Sequence, residues 1–134
     1  MRAFADPKVA ARFDAYPEDT RAGLLKVRDL VFQVADAHPR IGALSESLKW
    51  GQPDYRPTRN RVGTTVRLDA VKTPLSGYAV YFHCQTGLVE RFRTLHVDAL
   101  AFQGNRAILF DTHRPPANAP LAQCLEMALT HHLR

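Results

Sequence analysis

An α+β fold, with a mainly antiparallel sheet of about five strands packed against helices, is predicted by three features of this sequence. Two stretches near the N-terminus repeat apolar residues at three- and four-residue steps, as helices do. Several later stretches alternate apolar and polar residues, as half-buried strands do. The links between those strands are short, whereas parallel neighbours need a crossover of about a dozen residues or more, so the pairing should be antiparallel. The expected order is ααβββαββα, in one domain over residues 1–134. A chain of this length buries roughly two-thirds of the surface its unfolded form exposes, enough for a single core.

Asp6-Pro7 opens the first helix, with Asp as cap and Pro at the first helical position, and Val9, Ala10 and Phe13 form its apolar face. Tyr16-Pro17-Glu18-Asp19 restarts the pattern with acidic residues where a helix N-terminus favours them. Leu24, Val27, Val31, Val34 and Ala35 then mark the longest helix, ending before His38-Pro39, with Arg21, Lys26, Arg28 and Asp29 assigned to its other faces. Ile41, Leu44 and Leu48 fit a helix, but Leu48 and Trp50 also alternate about Lys49, which favours a strand over residues 45–50. Residues 56–61 are polar and contain Pro57, hence a loop, and residues 62–68 alternate as the next strand.

Residues 72–77 form a connection. Residues 78–84 are the most strand-like text in the chain, with Tyr78, Val80, Phe82 and Cys84 on one face and Ala79, Tyr81 and His83 on the other. Thr86 caps a helix through Leu88, Val89, Phe92 and Leu95. Residues 99–103 and 106–110, joined at Gly104-Asn105, read as a hairpin. Residues 114–120 are a Pro-rich extended linker, and Leu121, Cys124, Leu125, Ala128 and His132 mark a last amphipathic helix.

Composition narrows the function classes. No apolar run approaches the roughly 20 residues a spanning helix needs, and Met1-Arg2-Ala3-Phe4 leads into charged text rather than a signal-peptide core, so a cytoplasmic chain without membrane contact is expected. Cys84 and Cys124 show neither a CxxC spacing nor a small secreted scaffold, so free thiols are expected, with Cys84 buried beside Phe82 and Val80. Lys and Arg number 18 against 13 Asp and Glu, a net charge of +5 that favours anionic partners. The P-loop, GxGxxG, GxSxG and HExxH patterns do not occur, and neither do helix-turn-helix, RNP or KH signatures, so catalysis and nucleic-acid binding have no motif behind them.

The most distinctive text is Ser47-Leu48-Lys49-Trp50-Gly51-Gln52-Pro53-Asp54-Tyr55, which holds the only Trp. An indole buries a large apolar area while its N–H still needs a partner, which suits the floor of a pocket, and Gly51 with Pro53 should turn the chain sharply after it. Lys49, Arg56, Arg59, Arg61, Arg67 and Lys72 surround this turn in sequence. The expected site is therefore a concavity floored by Trp50 and rimmed by Gln52, Tyr55, Arg67, Lys72 and His83, binding a small anionic molecule or a partner protein without catalysis. Arg106 either reaches the same concavity or sits on its own hairpin.

The Leu48-to-Tyr55 run resembles the YdhG-like family of bacterial domains of unknown function. So do Phe13-Asp14-Ala15-Tyr16-Pro17-Glu18, the helical text from Leu24 to Ala35, Tyr78-Ala79-Val80-Tyr81-Phe82-His83-Cys84-Gln85-Thr86 and Phe102-Gln103-Gly104-Asn105-Arg106-Ala107. The resemblance spans nearly the whole chain and implies an α+β fold. One branch of that family is described as a frataxin-like intracellular iron chaperone, so the resemblance offers iron as a cargo. The carboxylates that would serve it are Asp14, Glu18 and Asp19 near the second helix start, although acids stabilise a helix N-terminus without any metal and a net positive chain repels the ion. No other cofactor is expected.

Overall fold

The computed structural model describes residues 2–71, 77–114 and 117–133. It is an α+β fold in which helices α1 (Pro7–Ala15), α2 (Glu18–Ala37), α3 (Leu88–Leu95) and α4 (Asn118–Leu129) pack with a sheet of strands β1 (Leu44–Lys49), β2 (Gln52–Pro57), β3 (Val66–Val71), β4 (Gly77–Phe82), β5 (Ala101–Gln103) and β6 (Ala107–Asp111). The sheet order is β1-β2-β3-β4-β6-β5, and each of these neighbours is antiparallel. The helix order and the antiparallel pairing follow the periodicity of the sequence. The strand count is six rather than five, because residues 52–57 form a strand that Pro53 and Pro57 hide from pattern reading.

Those prolines sit where they cost little. The β1–β2 hairpin closes on the Lys49–Gln52 pair, so Pro53 and Pro57, opposite Leu48 and Leu44, fall at the positions of the ladder that exchange no N–H bonds. Their missing N–H groups would have pointed to β3, which pairs with β2 only at Asp54–Arg67 and Tyr55–Val66. Past Asp54 that ladder stops, and there side chains take over. Arg12 and Tyr16 of α1 and Gln52 of β2 all donate to the carboxylate of Asp69, at 3.1, 2.9 and 3.2 Å.

Alternation divides the sheet into two faces. Tyr55, Val66, Leu68, Tyr78, Val80, Phe82 and Ile108 point into the core, where they meet Leu24, Val27, Val31 and Phe32 of α2 and Leu121, Leu125 and Ala128 of α4. Gly23 lets α2 lie directly on Tyr78, since a Cβ there would overlap the phenol ring. Asp6 caps α1 as its sequence signals, whereas the N-cap of α3 is Gly87, at φ 70°, one residue after the expected Thr86. The Asp6 carboxylate accepts from the N–H of Lys8 at 2.8 Å, and the Thr86 hydroxyl accepts from the N–H of Leu88 at 3.2 Å.

One residue assigned to an outer face of α2 is inside. Arg28 is fully buried, its guanidinium forked onto Glu46 of β1 at 2.6 and 3.0 Å and capping the carbonyls of Arg2 and Ala3. Tyr55 donates its hydroxyl to the same Glu46 at 2.6 Å, and Phe4 and Phe32 flank the guanidinium. Burial works against the charge on Arg28, but the Glu46 carboxylate outweighs it and holds the guanidinium charged. Helical periodicity treats every Arg as a surface residue, and only the partner on a distant strand reveals the exception.

Three further boundaries differ from expectation. The strand expected over 62–68 runs over Val66–Val71, because residues 62–64 instead bind the end of α4: Thr64 N–H donates to Ala128 and His132 N–H to Val62. The expected last strand residue Cys84 starts a 3₁₀ turn, Cys84–Thr86, and β4 ends at Phe82. α4 begins at Asn118 inside the expected linker and stops at Leu129, short of His132. Most of the connection expected over 72–77 lies outside the described residues.

Candidate functional site

The sheet face opposite the main helices carries Gln52, Asp54, Arg67, Asp69 and Tyr81, and along it runs a concavity of about 300 Å³. Its walls are Trp50 and Gln52 from the β1–β2 hairpin, Arg67 from β3, Tyr81 and Phe82 from β4, His83 and Cys84 beyond it, and Arg106 at the start of β6. The volume lies at the lower end of what small-molecule sites enclose.

Trp50 is the outer wall of this concavity and not its floor. The side chain is 87% exposed, at the tip of a two-residue hairpin whose central residues both have positive φ, 52° at Trp50 and 77° at Gly51. Such turns match the right-handed twist of the flanking strands and usually hold Asn-Gly. Gly51 meets that demand at no cost, whereas an indole at positive φ is strained. The ring is nonetheless held, because the Arg67 guanidinium lies 5.1 Å from its centroid.

Arg67 stands directly opposite Asp54 in register but makes no ion pair with it among the described contacts. Asp54 is 2% exposed, and its Oδ1 has no hydrogen-bond partner among the described residues. Burial pushes the Asp54 pKa above the usual carboxylate range, and the positive charges of Arg67, Lys49 and Arg56 only partly restrain it. At the far end Arg106 lies over the Tyr81 ring, 5.8 Å from its centroid. Two stacked Arg–aromatic pairs therefore bracket the concavity.

The polar groups between them have defined hydrogen-bonding sense. His83 accepts the N–H of Gln85 on Nδ1 at 3.2 Å, so its neutral ring carries the proton on Nε2 and is a donor there. A carboxylate can only accept, so Gln52 must turn its amide nitrogen to Asp69, which leaves its Oε1 as an acceptor. Cys84, expected to be a buried core thiol, is exposed and lines the same wall. The chain leaves the sheet one residue before it, so strand alternation no longer decides where it points.

Of the residues expected at the site, Trp50, Gln52, Arg67 and His83 lie together. Tyr55 does not: alternation sends it to the core face, where it is 0% exposed, packed edge-on against Phe32 and bonded to Glu46. Lys72 lies outside the described residues. Arg106, left open between two positions in the sequence, lines the concavity, and Tyr81 joins it unanticipated. Its signal was present, since Tyr81 and Arg67 are direct cross-strand neighbours once β3 and β4 are placed in register. Asp14, Glu18 and Asp19 do not assemble into a metal site: among the described residues no group of three or more His, Cys, Asp or Glu side chains is disposed to hold an ion.

No helix among the described residues is long and apolar enough to cross a membrane. Comparison with family models, with curated proteins and with solved structures returns no match for this chain.

Proposed function

We propose that the chain is a non-catalytic binding module that takes a small anionic ligand into the concavity between Trp50 and Arg106. The observation that carries this reading is that Arg67, Arg106 and His83 line one hollow, with neither arginine paired to a carboxylate among the described residues. Guanidinium donors match phosphate and carboxylate oxygens two at a time, and aromatic faces beneath them hold their planes in place. The YdhG-like resemblance belongs to the same proposal, since the Leu48-to-Tyr55 run on which it chiefly rests is the hairpin that carries Trp50 and Gln52. A protein partner is the second form of the reading, favoured by an exposed Trp beside an Arg, two residue types enriched where binding energy concentrates at interfaces.

A thermal-shift series with phosphate- and carboxylate-bearing metabolites tests the proposal on the wild type, Arg67→Ala and Arg106→Ala. A ligand at 100 times its Kd adds about 2.7 kcal/mol, which raises the midpoint of a chain this size by roughly 10 °C. That rise should shrink in both variants. A flat series, or a rise that persists undiminished in both, removes the reading.

A further inference from the structure

Resting on that reading of the concavity as an anion site, we infer that its ligand is a mononucleotide, with the base stacked on the indole of Trp50 and the phosphate between Arg67 and Arg106. The inference begins with a residue that the fold does not require. Neither packing nor turn geometry asks for an indole at position 50: the ring is 87% exposed, and Asn or Gly would occupy φ 52° with less strain. What the position does supply is a large flat π surface fixed on one side by the Arg67 guanidinium, 5.1 Å from the ring centroid, with the rest in solvent. Among the described residues the indole meets no other aromatic ring, which leaves it as a platform for a ligand ring, and base–aromatic stacking accepts any of the bases.

An inorganic anion or a simple carboxylate would use Arg67, Arg106 and His83 and leave this platform idle. A neutral aromatic would use the platform and leave the cations idle. A base joined to a phosphate engages both. The sugar or the base can then offer a donor to Gln52 Oε1, the amide oxygen left over by the bond to Asp69. Its position is set at a distance: Gln52 is held by Asp69, and Asp69 is fixed by Arg12 and Tyr16 of α1 at 3.1 and 2.9 Å. Asp69 and its two α1 donors are thus positioning residues for the ligand's hydroxyl or amino group.

The single Trp makes the test direct, because all indole fluorescence of the protein comes from this ring. Wild-type protein is titrated with AMP, CMP, adenosine, ribose 5-phosphate, inorganic phosphate and a single-stranded oligonucleotide, reading fluorescence and, in parallel, calorimetric heat. Saturable quenching by AMP or CMP is expected, with ribose 5-phosphate binding roughly five- to hundred-fold more weakly and without quenching, the factor that loss of stacking implies. By calorimetry Trp50→Asn should bring AMP down to the affinity of ribose 5-phosphate, while Arg67→Gln should weaken both. If ribose 5-phosphate or inorganic phosphate binds as tightly as AMP and this binding depends on Arg67, the anion site stands and the nucleotide inference falls. If none of the anions binds, both fall. Binding of the oligonucleotide with no mononucleotide binding also overturns the inference.

Discussion

Trp50→Asn should leave the fold as stable as the wild type or make it more so, a result that separates a ligand platform from a structural anchor. The balance is worked from three terms. An L side chain held in the left-handed region costs about 1–2 kcal/mol, most of which Asn recovers at a hairpin tip. The Arg67–indole contact, seen here at 5.1 Å and at an exposed site, is lost at about 0.5–1 kcal/mol. With the ring 87% exposed, little apolar surface returns to water. The net change is a gain of about 0–1.5 kcal/mol, or up to roughly 5 °C in the midpoint for a chain of this length. A Trp built into a core would instead lose about 3–5 kcal/mol on truncation. Thermal and urea unfolding followed by far-UV circular dichroism decide the matter. A loss above about 2 kcal/mol, well outside the balance of these terms, would show that the indole holds the fold together and refute the reasoning.

Three other outcomes follow from buried groups. Arg28→Met leaves Glu46 without its cation in a nearly dry site and should cost about 3–5 kcal/mol, much of it recovered in Arg28→Met/Glu46→Leu; urea unfolding of the cycle checks this, and additive single effects would count against it. Asp54→Asn should raise stability by roughly 1 kcal/mol at neutral pH. The native state binds the Asp54 proton more tightly than the unfolded state does, so the wild type gains stability as pH falls through the native pKa and lacks that gain above it. The advantage of Asn should therefore narrow in acid, and a difference independent of pH across melts in a buffer series contradicts the assignment. Of the two thiols, exposed Cys84 should react with a disulfide reagent at once in native protein, whereas Cys124, fully buried and pushed up to about 12 by burial, should react only on unfolding. Two fast thiols in native protein would contradict the burial of Cys124.

The helices were legible because each is announced locally. Asp6-Pro7 caps α1, and the spacing of Leu24, Val27 and Val31 marks the apolar part of the buried face of α2, though not Thr20 and Arg28, which are buried as well. β2 was not legible, since Pro53 and Pro57 are tolerated only through a register with β1 and an interrupted ladder with β3, and neither lies within the strand's own text. The same limit applies to the site. Trp50, Gln52 and Arg67, close in sequence, line one concavity, but the same clustering ignores the strand alternation that turns Tyr55 into the core, and a strand that stops at Phe82 frees Cys84 from its expected burial. Arg106 is a neighbour of Tyr81 only through the β4–β6 pairing, which crosses the chain between them.

The two faces of the β1–β2 hairpin explain why an exposed site can still be well ordered. On the core side Glu46 and Tyr55 are locked to Arg28, and through Arg28 to the N-terminal backbone, so the hairpin is tied down by charge-assisted bonds near its base. On the other side Gln52 is tied near the tip to Asp69, which α1 holds in turn. Fixed at both ends, the hairpin can present the Trp50 ring on a strained turn without the ring wandering, and Arg67 stacked against it removes further freedom. Ordering a side chain on binding costs about 0.5–1.5 kcal/mol for each flexible group, and here much of that ordering is complete before any ligand arrives. A concavity this small and open gains little from area alone. On the proposed binding role its affinity would rest on this preorganisation, so replacing Asp69 or Arg12, which hold Gln52 in place and lie outside the lining of the concavity, should weaken binding of the nucleotide in the same calorimetric titration.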